Sequence, residues 1–338
     1  MWYHSPLSTI RSYMKPLSFS ILRLLAEGEF LSGEAMARQL NVSRATVWNA
    51  LHAIDDAGVS VHKVRGRGYR LAEPLQWLDK QRVLSALGDK SALFDLEVAD
   101  SVESTNSVMM RKAALGTPHG SVLAAELQTG GRGRRGRAWH ANLGGGLTFS
   151  LLWHFNQGAG FLSGLSLAVG VALVRALKQA GIADAGLKWP NDVLHRDRKL
   201  AGILIELQGD MQGPSAAVIG IGLNLKLSEG AKSCIDQAAT DIHSITGRMP
   251  DRNQMLALIL GHLAEVLAHF EVQGFASLRA EWAGHHVHHG KPVRLVMPDG
   301  AFHEGRLADV AEDGALLLET AGGVRRYVSG EISLRGAE

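Results

Sequence analysis

The 338-residue chain has a single cysteine, Cys234. One thiol cannot form an internal disulfide, so no covalent staple holds the fold, and a reducing compartment is the natural setting. An excess of one charge is also missing: 35 Lys and Arg stand against 33 Asp and Glu, a net of +2. That balance gives no bulk attraction to nucleic acid, so any basic site must be local. The run read as longest and most apolar, Phe161 to Val174, is broken by glycine and serine and ends at Arg175, too short and too polar for a bilayer span. His4, Pro6, Arg11 and Lys15 interrupt any secretory leader. The sequence therefore reads as cytoplasmic, with no membrane partner.

What remains is 46% hydrophobic and long enough for two or three domains. Residues 1–17 show no periodicity and read as a disordered arm, with Met14 just ahead of the first helical stretch. Residues 18–73 are patterned. Ile21, Leu22, Leu24 and Leu25 give an apolar stripe, and Ser32 precedes a short helix with Ala35, Met36 and Leu40. After a turn at Asn41 and Val42, Ser43 is placed to cap a helix whose Val47, Leu51 and Ile54 share one face. Strand character follows around Gly66-Arg67-Gly68. Helix, helix, turn, helix, hairpin is the order of a winged helix-turn-helix. Arg44, Trp48, Asn49 and His52 are then expected at base edges, and Lys63, Arg65, Arg67 and Arg70 at phosphates. A winged helix used only for protein contact is the alternative.

Beyond Pro74 strands and helices alternate, as in α/β or α+β domains. Helical periodicity is clearest over 162–180 and 253–270, and continuous apolar strands over 200–207 and 216–223. From Gly290 short strands separated by Pro298-Asp299-Gly300, Glu312-Asp313-Gly314 and Ala321-Gly322-Gly323 suggest a small antiparallel barrel.

The densest chemical feature is Gln128-Thr129-Gly130-Gly131-Arg132-Gly133-Arg134-Arg135-Gly136-Arg137, tethered between two strand-like segments. Glycine lets a backbone approach a ligand, and the planar arginine fork suits phosphate oxygens. A disordered basic run is the bland alternative. Ser104-Thr105-Asn106, at a strand-to-helix junction, either caps a helix or hydrogen-bonds a polar ligand. Lys188-Trp189-Pro190-Asn191-Asp192 is a turn or irregular strand end, because proline limits helix. Lys199 opens an apolar strand, so its ammonium is either a solvated charge or held over a pocket. His285-His286-Val287-His288-His289 looks like a metal tract but lacks a cysteine or carboxylate at ligand spacing, and no metal site is expected there.

Together, the Arg/Gly loop, Lys188-Trp189-Pro190-Asn191-Asp192, Arg198-Lys199-Leu200-Ala201-Gly202-Ile203-Leu204-Ile205-Glu206 and Gly220-Ile221-Gly222-Leu223-Asn224 resemble the biotin–protein ligases. With the winged helix, residues 18–336 resemble the bifunctional class that is also the biotin operon repressor. The resemblance implies an α+β multidomain chain: a winged helix-turn-helix (18–73), a ligase domain with a mixed sheet (74–286) and a small SH3-like barrel (287–338). It implies that biotin and MgATP give biotinyl-5′-AMP and pyrophosphate. Biotin then passes to a lysine of the biotin carboxyl carrier protein of acetyl-CoA carboxylase. By the same resemblance Ser104, Thr105, Asn106, Gln128, Arg132, Gly133, Arg134 and Lys199 hold biotin, and Arg132, Arg134, Arg137, Gly220, Gly222 and Asn224 meet the adenylate and its phosphate. Lys199, Arg134, Asp192 and Lys188 are the implied catalytic residues. Implied partners are the carrier protein, operator DNA and a second copy of the chain when biotinyl-AMP is bound. The segment Gln237 to Asp241 lacks the tryptophan expected over the adenine, so weaker retention of the adenylate is expected. Alternatives are a ligase whose winged helix no longer regulates, a biotin sensor without turnover, and a lipoate–protein ligase.

Overall fold

Phe19, Ile21, Leu22 and Leu25 line the inner side of α1 (Pro16–Leu25) and are fully buried. They join Met36 of α2 (Gly33–Gln39) and Val47, Leu51 and Ile54 of α3 (Arg44–Asp56) in one core, as the periodicity requires. Ser32 and Ser43 accept from the amides of Ala35 and Thr46 and so satisfy the helix starts. An antiparallel hairpin of β1 (Val61–Val64) and β2 (Gly68–Leu71) completes the unit. The structure is a computed structural model and describes residues 14–56, 59–209, 213–297, 299–328 and 333–336. The expected arm is shorter than its lack of periodicity suggests: Met14 is buried in this core, and Pro16 already opens a helix, where proline's missing N–H costs nothing. Residues 1–13 of that arm lie outside the described residues.

After α4 (Lys80–Leu87) comes a seven-stranded sheet. Its spatial order is β3 (Asp95–Val102), β4 (Ser121–Gln128), β5 (Gly146–Phe155), β9 (Ser215–Asn224), β8 (Arg198–Gly209), β7 (Asp192–His195), β6 (Ala185–Lys188). The sheet is mixed, because β3 and β4 are parallel with α5 (Thr105–Ala114) between them, and the other pairs are antiparallel. The strand period of two sorts the side chains. Leu147, Phe149 and Leu151 of β5 face α6 (Leu165–Gln179) and α9 (Arg252–Gln273), whereas Leu152 packs with Met109 of α5 on the opposite face. α9 is long and apolar enough to cross a membrane by composition alone. Its Leu256, Leu260, Leu263 and Leu267 are nevertheless buried in the core beside α4 and α6, so it serves as a core helix.

The short helices α7 (Glu229–Ser233), α8 (Ile242–Thr246) and α10 (Arg279–His285) lead to five antiparallel strands: β10 (Pro292–Val296), β11 (Phe302–Val310), β12 (Leu316–Thr320), β13 (Gly323–Tyr327) and β14 (Ser333–Gly336). Their order is β13-β12-β11-β10-β14, and a register shift between Leu307 and Asp309 bends β11. Among the described residues no pairing joins the two edge strands. Val293, Leu295, Leu307 and Leu318 belong to the same core as α6 and Trp282, whereas the helix-turn-helix unit has its own. The C-terminal strands are thus continuous with the larger domain.

Candidate functional site

On the α5 face of the sheet the strands carry small residues in register: Ser150 opposite Gly220, which pairs in turn with Leu204, and Gly202 opposite Gly222. Both β9 glycines make room for a side chain. A Cβ at Gly220 would stand 2.1 Å from Asn106 Oδ1, and one at Gly222 2.3 Å from Trp139 Cε2. The cavity between those side chains and the sheet is about 260 Å³.

Its inner end is neutral and hydrogen-bonded. Ser104 caps α5 by accepting from the Ser107 amide at 3.4 Å, so the helix-cap reading of that residue holds. Thr105 directs its amide and its hydroxyl at Gln128 Oε1, at 2.7 and 3.1 Å. Ser150 Oγ lies 2.8 Å from Thr105 Oγ1 and 2.6 Å from Asn106 Oδ1. Asn106 Nδ2 donates to Leu204 O at 3.1 Å and to Glu206 Oε2 at 2.9 Å. Gln128 Oε1, Thr105 Oγ1, Ser150 Oγ and Asn106 Oδ1 therefore form a row of four oxygens with two hydroxyl protons for three gaps. The Ser150 proton goes to Asn106 Oδ1, its shorter contact, and the Thr105 hydroxyl donates to Gln128 Oε1.

The Arg/Gly loop is hydrogen-bonded within itself and to the end of β3. Gly130 N donates to Glu103 O at 2.7 Å, Gly133 N to Arg137 O at 2.7 Å and Trp139 N to Gly131 O at 2.9 Å, and Arg132 bridges Ala138. The loop sends its arginines to opposite ends of the cavity. Arg132 pairs with Glu206 at 2.9 and 3.0 Å beside the neutral end. Arg134 reaches the other end, 3.5 Å from Asn191 Oδ1. Burial holds the Arg134 guanidinium below its ordinary range, with Asp192 pulling the other way. Gly133 and the exposed Arg137 line the rim.

Lys199 faces this cavity because β8 is irregular. The pairing of β7 with β8 shifts between Val193 and Leu194, so Lys199 and Gly202, an odd step apart, point to the same side. Lys199 Nζ lies 2.7 Å from Asp192 Oδ1, both side chains being mostly buried, and 5.8 Å from the Trp139 ring. Asn224 commits its amide to Lys199 O (3.3 Å) and Thr240 O (3.0 Å), tying the Lys199 strand to the 238–240 segment. Ala239 of that segment, with Ile235 and Gln237 just before it, lines the cavity. Lys188 sits in an adjoining cleft with Arg134, Asn191, Asp192 and Leu334 of the C-terminal sheet. Trp189, joined to Pro190 by a cis peptide, points away into the core, and its Nε1 donates to Gly314 O at 3.1 Å.

The histidine tract is a packing element. His286 stacks on Trp282 at 4.5 Å and accepts from the Trp189 amide at 3.3 Å, and burial pushes its pKa down to about 3. Among the described residues no three His, Cys, Asp or Glu side chains converge as metal ligands.

On the helix-turn-helix unit Arg44, Trp48, Asn49 and His52 lie on the outer side of α3, and Trp48 is 50% exposed. Trp48 and His52 stack at 3.8 Å, and His52 Nδ1 bonds Trp48 O at 2.9 Å. In the wing Lys63, Arg65, Arg67 and Arg70 are exposed, with the Arg67 and Arg70 guanidinium groups 4.4 and 4.7 Å over the Phe30 ring.

Four residues missing from the expected site belong to it: Ser150, Glu206, Asn191 and Trp139. No sequence signal separates Ser150 from Thr148 and His154 of β5, or Glu206 from Gln208 of β8, which alternate onto the same faces. Trp139 follows the loop directly, and the pairing of its indole with two glycines is a matter of tertiary contact.

Three family models match the chain: the biotin/lipoate A/B protein ligase family over residues 98–224, an HTH domain over 17–70 and the biotin protein ligase C terminal domain over 288–335. The chain is 36% identical to the bifunctional ligase/repressor BirA of Escherichia coli, over 94% of this chain and 97% of that one. It is 33% identical to the biotin--[acetyl-CoA-carboxylase] ligase of Mycobacterium tuberculosis, over 70% and 87% of the two chains. The structure of a biotin protein ligase from Aquifex aeolicus in complex with biotin and ATP matches with a TM-score of 0.62 at 31% identity, covering 72% of this chain and 99% of that one. A two-ended cavity beneath an Arg/Gly loop, a helix-turn-helix in front and a small antiparallel sheet behind thus go with full-length similarity, and the chain belongs to the biotin protein ligase family, in its bifunctional ligase/repressor branch.

Proposed function

We propose that the chain joins biotin to ATP, passes the biotinyl group to a lysine of a biotin carboxyl carrier protein, and represses transcription in its adenylate-bound form. The observation that carries the reading is the polarity of the cavity. One end offers neutral acceptors and amide groups suited to a cyclic urea, and the other gathers Lys199 and Arg134 around Asp192. A ligand with a polar uncharged head and a carboxylate tail fits in one direction.

In the first step a carboxylate oxygen of biotin attacks the α-phosphorus of ATP. The bond to the β-phosphate oxygen breaks, and pyrophosphate leaves. Both reactants are anions, so the barrier falls when fixed cations stand between them. Lys199, with three donors of which Asp192 engages one, is suited to bridge the carboxylate and the α-phosphate. Arg134 and Arg137 are suited to the phosphate oxygens. Mg²⁺ enters with ATP as part of the substrate, held chiefly by the phosphates. In the second step the carrier amine attacks the acyl carbon, the acyl–phosphate oxygen bond breaks and AMP leaves. Asp192, 2.7 Å from Lys199 Nζ, is suited to take the amine proton. Lys188, from the adjoining cleft, is suited to steer the approaching carrier rather than to touch biotin.

The domain limits 18–73, 74–286 and 287–338 belong to this reading, as do a cytoplasmic setting, operator DNA on α3 and the wing, and a homodimer that forms with the adenylate. The test is to incubate the chain with biotin, MgATP and an unmodified carrier domain and weigh the carrier. One ATP-dependent biotinyl group is expected, and none from a folded Lys199→Ala variant. Normal turnover by that variant would remove Lys199 from its role. Operator affinity indifferent to added biotin and ATP would leave the ligase and remove the repressor.

A further inference from the structure

The imidazole on the outer side of α3 is held in one protonation pattern by its own helix. His52 Nδ1 lies 2.9 Å from Trp48 O, one turn back. A backbone carbonyl can only accept, so Nδ1 carries the proton. A neutral imidazole has a single N–H, which leaves Nε2 as an acceptor. The Trp48 indole lies against the same ring, with centroids 3.8 Å apart and planes tilted by 43°. One edge of the imidazole is therefore bonded and one face is covered, while both residues stay exposed. Among the described residues Nε2 has no partner.

The position of this acceptor matters. Arg44, Trp48 and His52 follow one another at steps of four, and Asn49 stands three before His52, so all four share one stripe of the helix. Ser43 and Thr46, at the helix start, are turned to each other instead: Ser43 Oγ accepts from the Thr46 amide at 3.1 Å and lies 2.8 Å from Thr46 Oγ1. In the major groove most base groups are acceptors: N7 and O6 of guanine, N7 of adenine and O4 of thymine. Only the amino groups of adenine and cytosine donate there. An acceptor held on the reading stripe has those two groups as its partners.

We infer that His52 is a specificity-determining residue that accepts, through Nε2, from the amino group of an adenine or a cytosine, with Trp48 holding its ring in place. The inference rests on the proposal that α3 enters the major groove of an operator.

The test begins with a pool of random duplexes, selected by the full-length chain with biotin and MgATP in mildly alkaline buffer, where imidazoles are neutral. Wild type and His52→Ala are compared. The variant is expected to lose its preference at one base pair of the selected motif and to bind the wild-type motif about three- to tenfold more weakly, the scale of one hydrogen bond. Both proteins are then titrated with duplexes in which single groups of that pair are removed. Taking away the amino group, with purine in place of adenine or pyrimidin-2-one in place of cytosine, is expected to erase the difference between the two proteins. Replacing the purine N7 by carbon is expected to leave that difference as it was. A difference that survives loss of the amino group but vanishes without N7 would make His52 a donor and overturn the inference. Selection of the same motif by His52→Ala, at equal affinity, would overturn it too and leave α3 as a DNA-reading helix. A pool from which the wild type selects nothing would remove the DNA reading itself, and the inference would fall with it.

Discussion

A methyl group added at Gly222 would overlap the indole of Trp139 at 2.3 Å, so the ring, and with it the floor beneath Lys199, has to move. Overpacking of this kind costs about 1–3 kcal/mol, felt by the ligand site more than by the core. Gly222→Ala is expected to raise the KM for biotin or ATP about tenfold. Combining it with Trp139→Ala is expected to relieve the overlap. Steady-state kinetics at varied biotin and ATP check this, and wild-type constants in Gly222→Ala would show that the indole yields freely. Residues of this sort mark the limit of what the sequence discloses. Lys199, Arg134 and Ser104-Thr105-Asn106 were legible because their chemistry is concentrated in short runs. Ser150 and Glu206 were not, because each is one of several polar residues in its strand and its partner is 44 or 74 positions away. Lys199 itself needed a break in strand pairing to reach its cavity, and a sequence carries no mark of that.

Among elements, the turn between β6 and β7 depends on a neutral imidazole. The Trp189 amide donates to His286 Nε2, and that ring lies buried beside His288, His289, Lys188 and Lys291. With a folded pKa of about 3 against an ordinary 6.5, the unfolded chain takes up a proton that the folded chain refuses. The stability this group contributes is complete above pH 6.5 and is lost as pH falls toward 3. The loss is about 2 kcal/mol between pH 6.5 and 5. His286→Phe, which retains an aromatic ring against Trp282, is expected to flatten the pH dependence of the Tm over that range, and an unchanged slope would assign the loss to other groups. The wing is a second such element. Phe30 carries the Arg67 and Arg70 guanidinium groups on its ring at the exposed wing. Arg67→Ala is expected to weaken operator and random DNA alike and to lower the salt slope by about one. Trp48→Ala, on the outer side of α3, is expected to weaken the operator alone. Periodicity gave both helices of the motif and its hairpin. The stack on Phe30 joins residues that are close in space only once the hairpin folds back.

At the scale of the whole molecule, the linker between the DNA-binding unit and the ligase sheet is fastened at every step. Arg252 and Glu126, both without side-chain exposure, pair at 2.6 Å in the core. Arg252 donates to Gln76 O at 2.6 Å, Leu78 N donates to Glu126 Oε1 at 2.6 Å, and Asp79 N donates to Asn253 Oδ1 at 2.7 Å. Trp77, between these anchors, turns toward the helix-turn-helix unit, edge-on to Phe19 at 6.3 Å and 4.5 Å beneath the Arg23 guanidinium. Arg23 in turn pairs with Asp100 on β3, the strand that leads into Ser104. The ligase sheet therefore meets the DNA-binding unit through side-chain contacts that include Trp77 and, beside it, the Arg23–Asp100 pair. Removing that indole gives up an aromatic edge contact and a cation–π contact, together about 1–3 kcal/mol. It leaves the cavity untouched. Trp77→Ala is expected to ligate biotin at the wild-type rate while losing most of the gain in operator affinity that biotinyl-AMP confers, by gel shift with and without the adenylate. An undiminished gain would mean that the coupling runs through dimer formation alone, and that the linker only tethers two units that act separately.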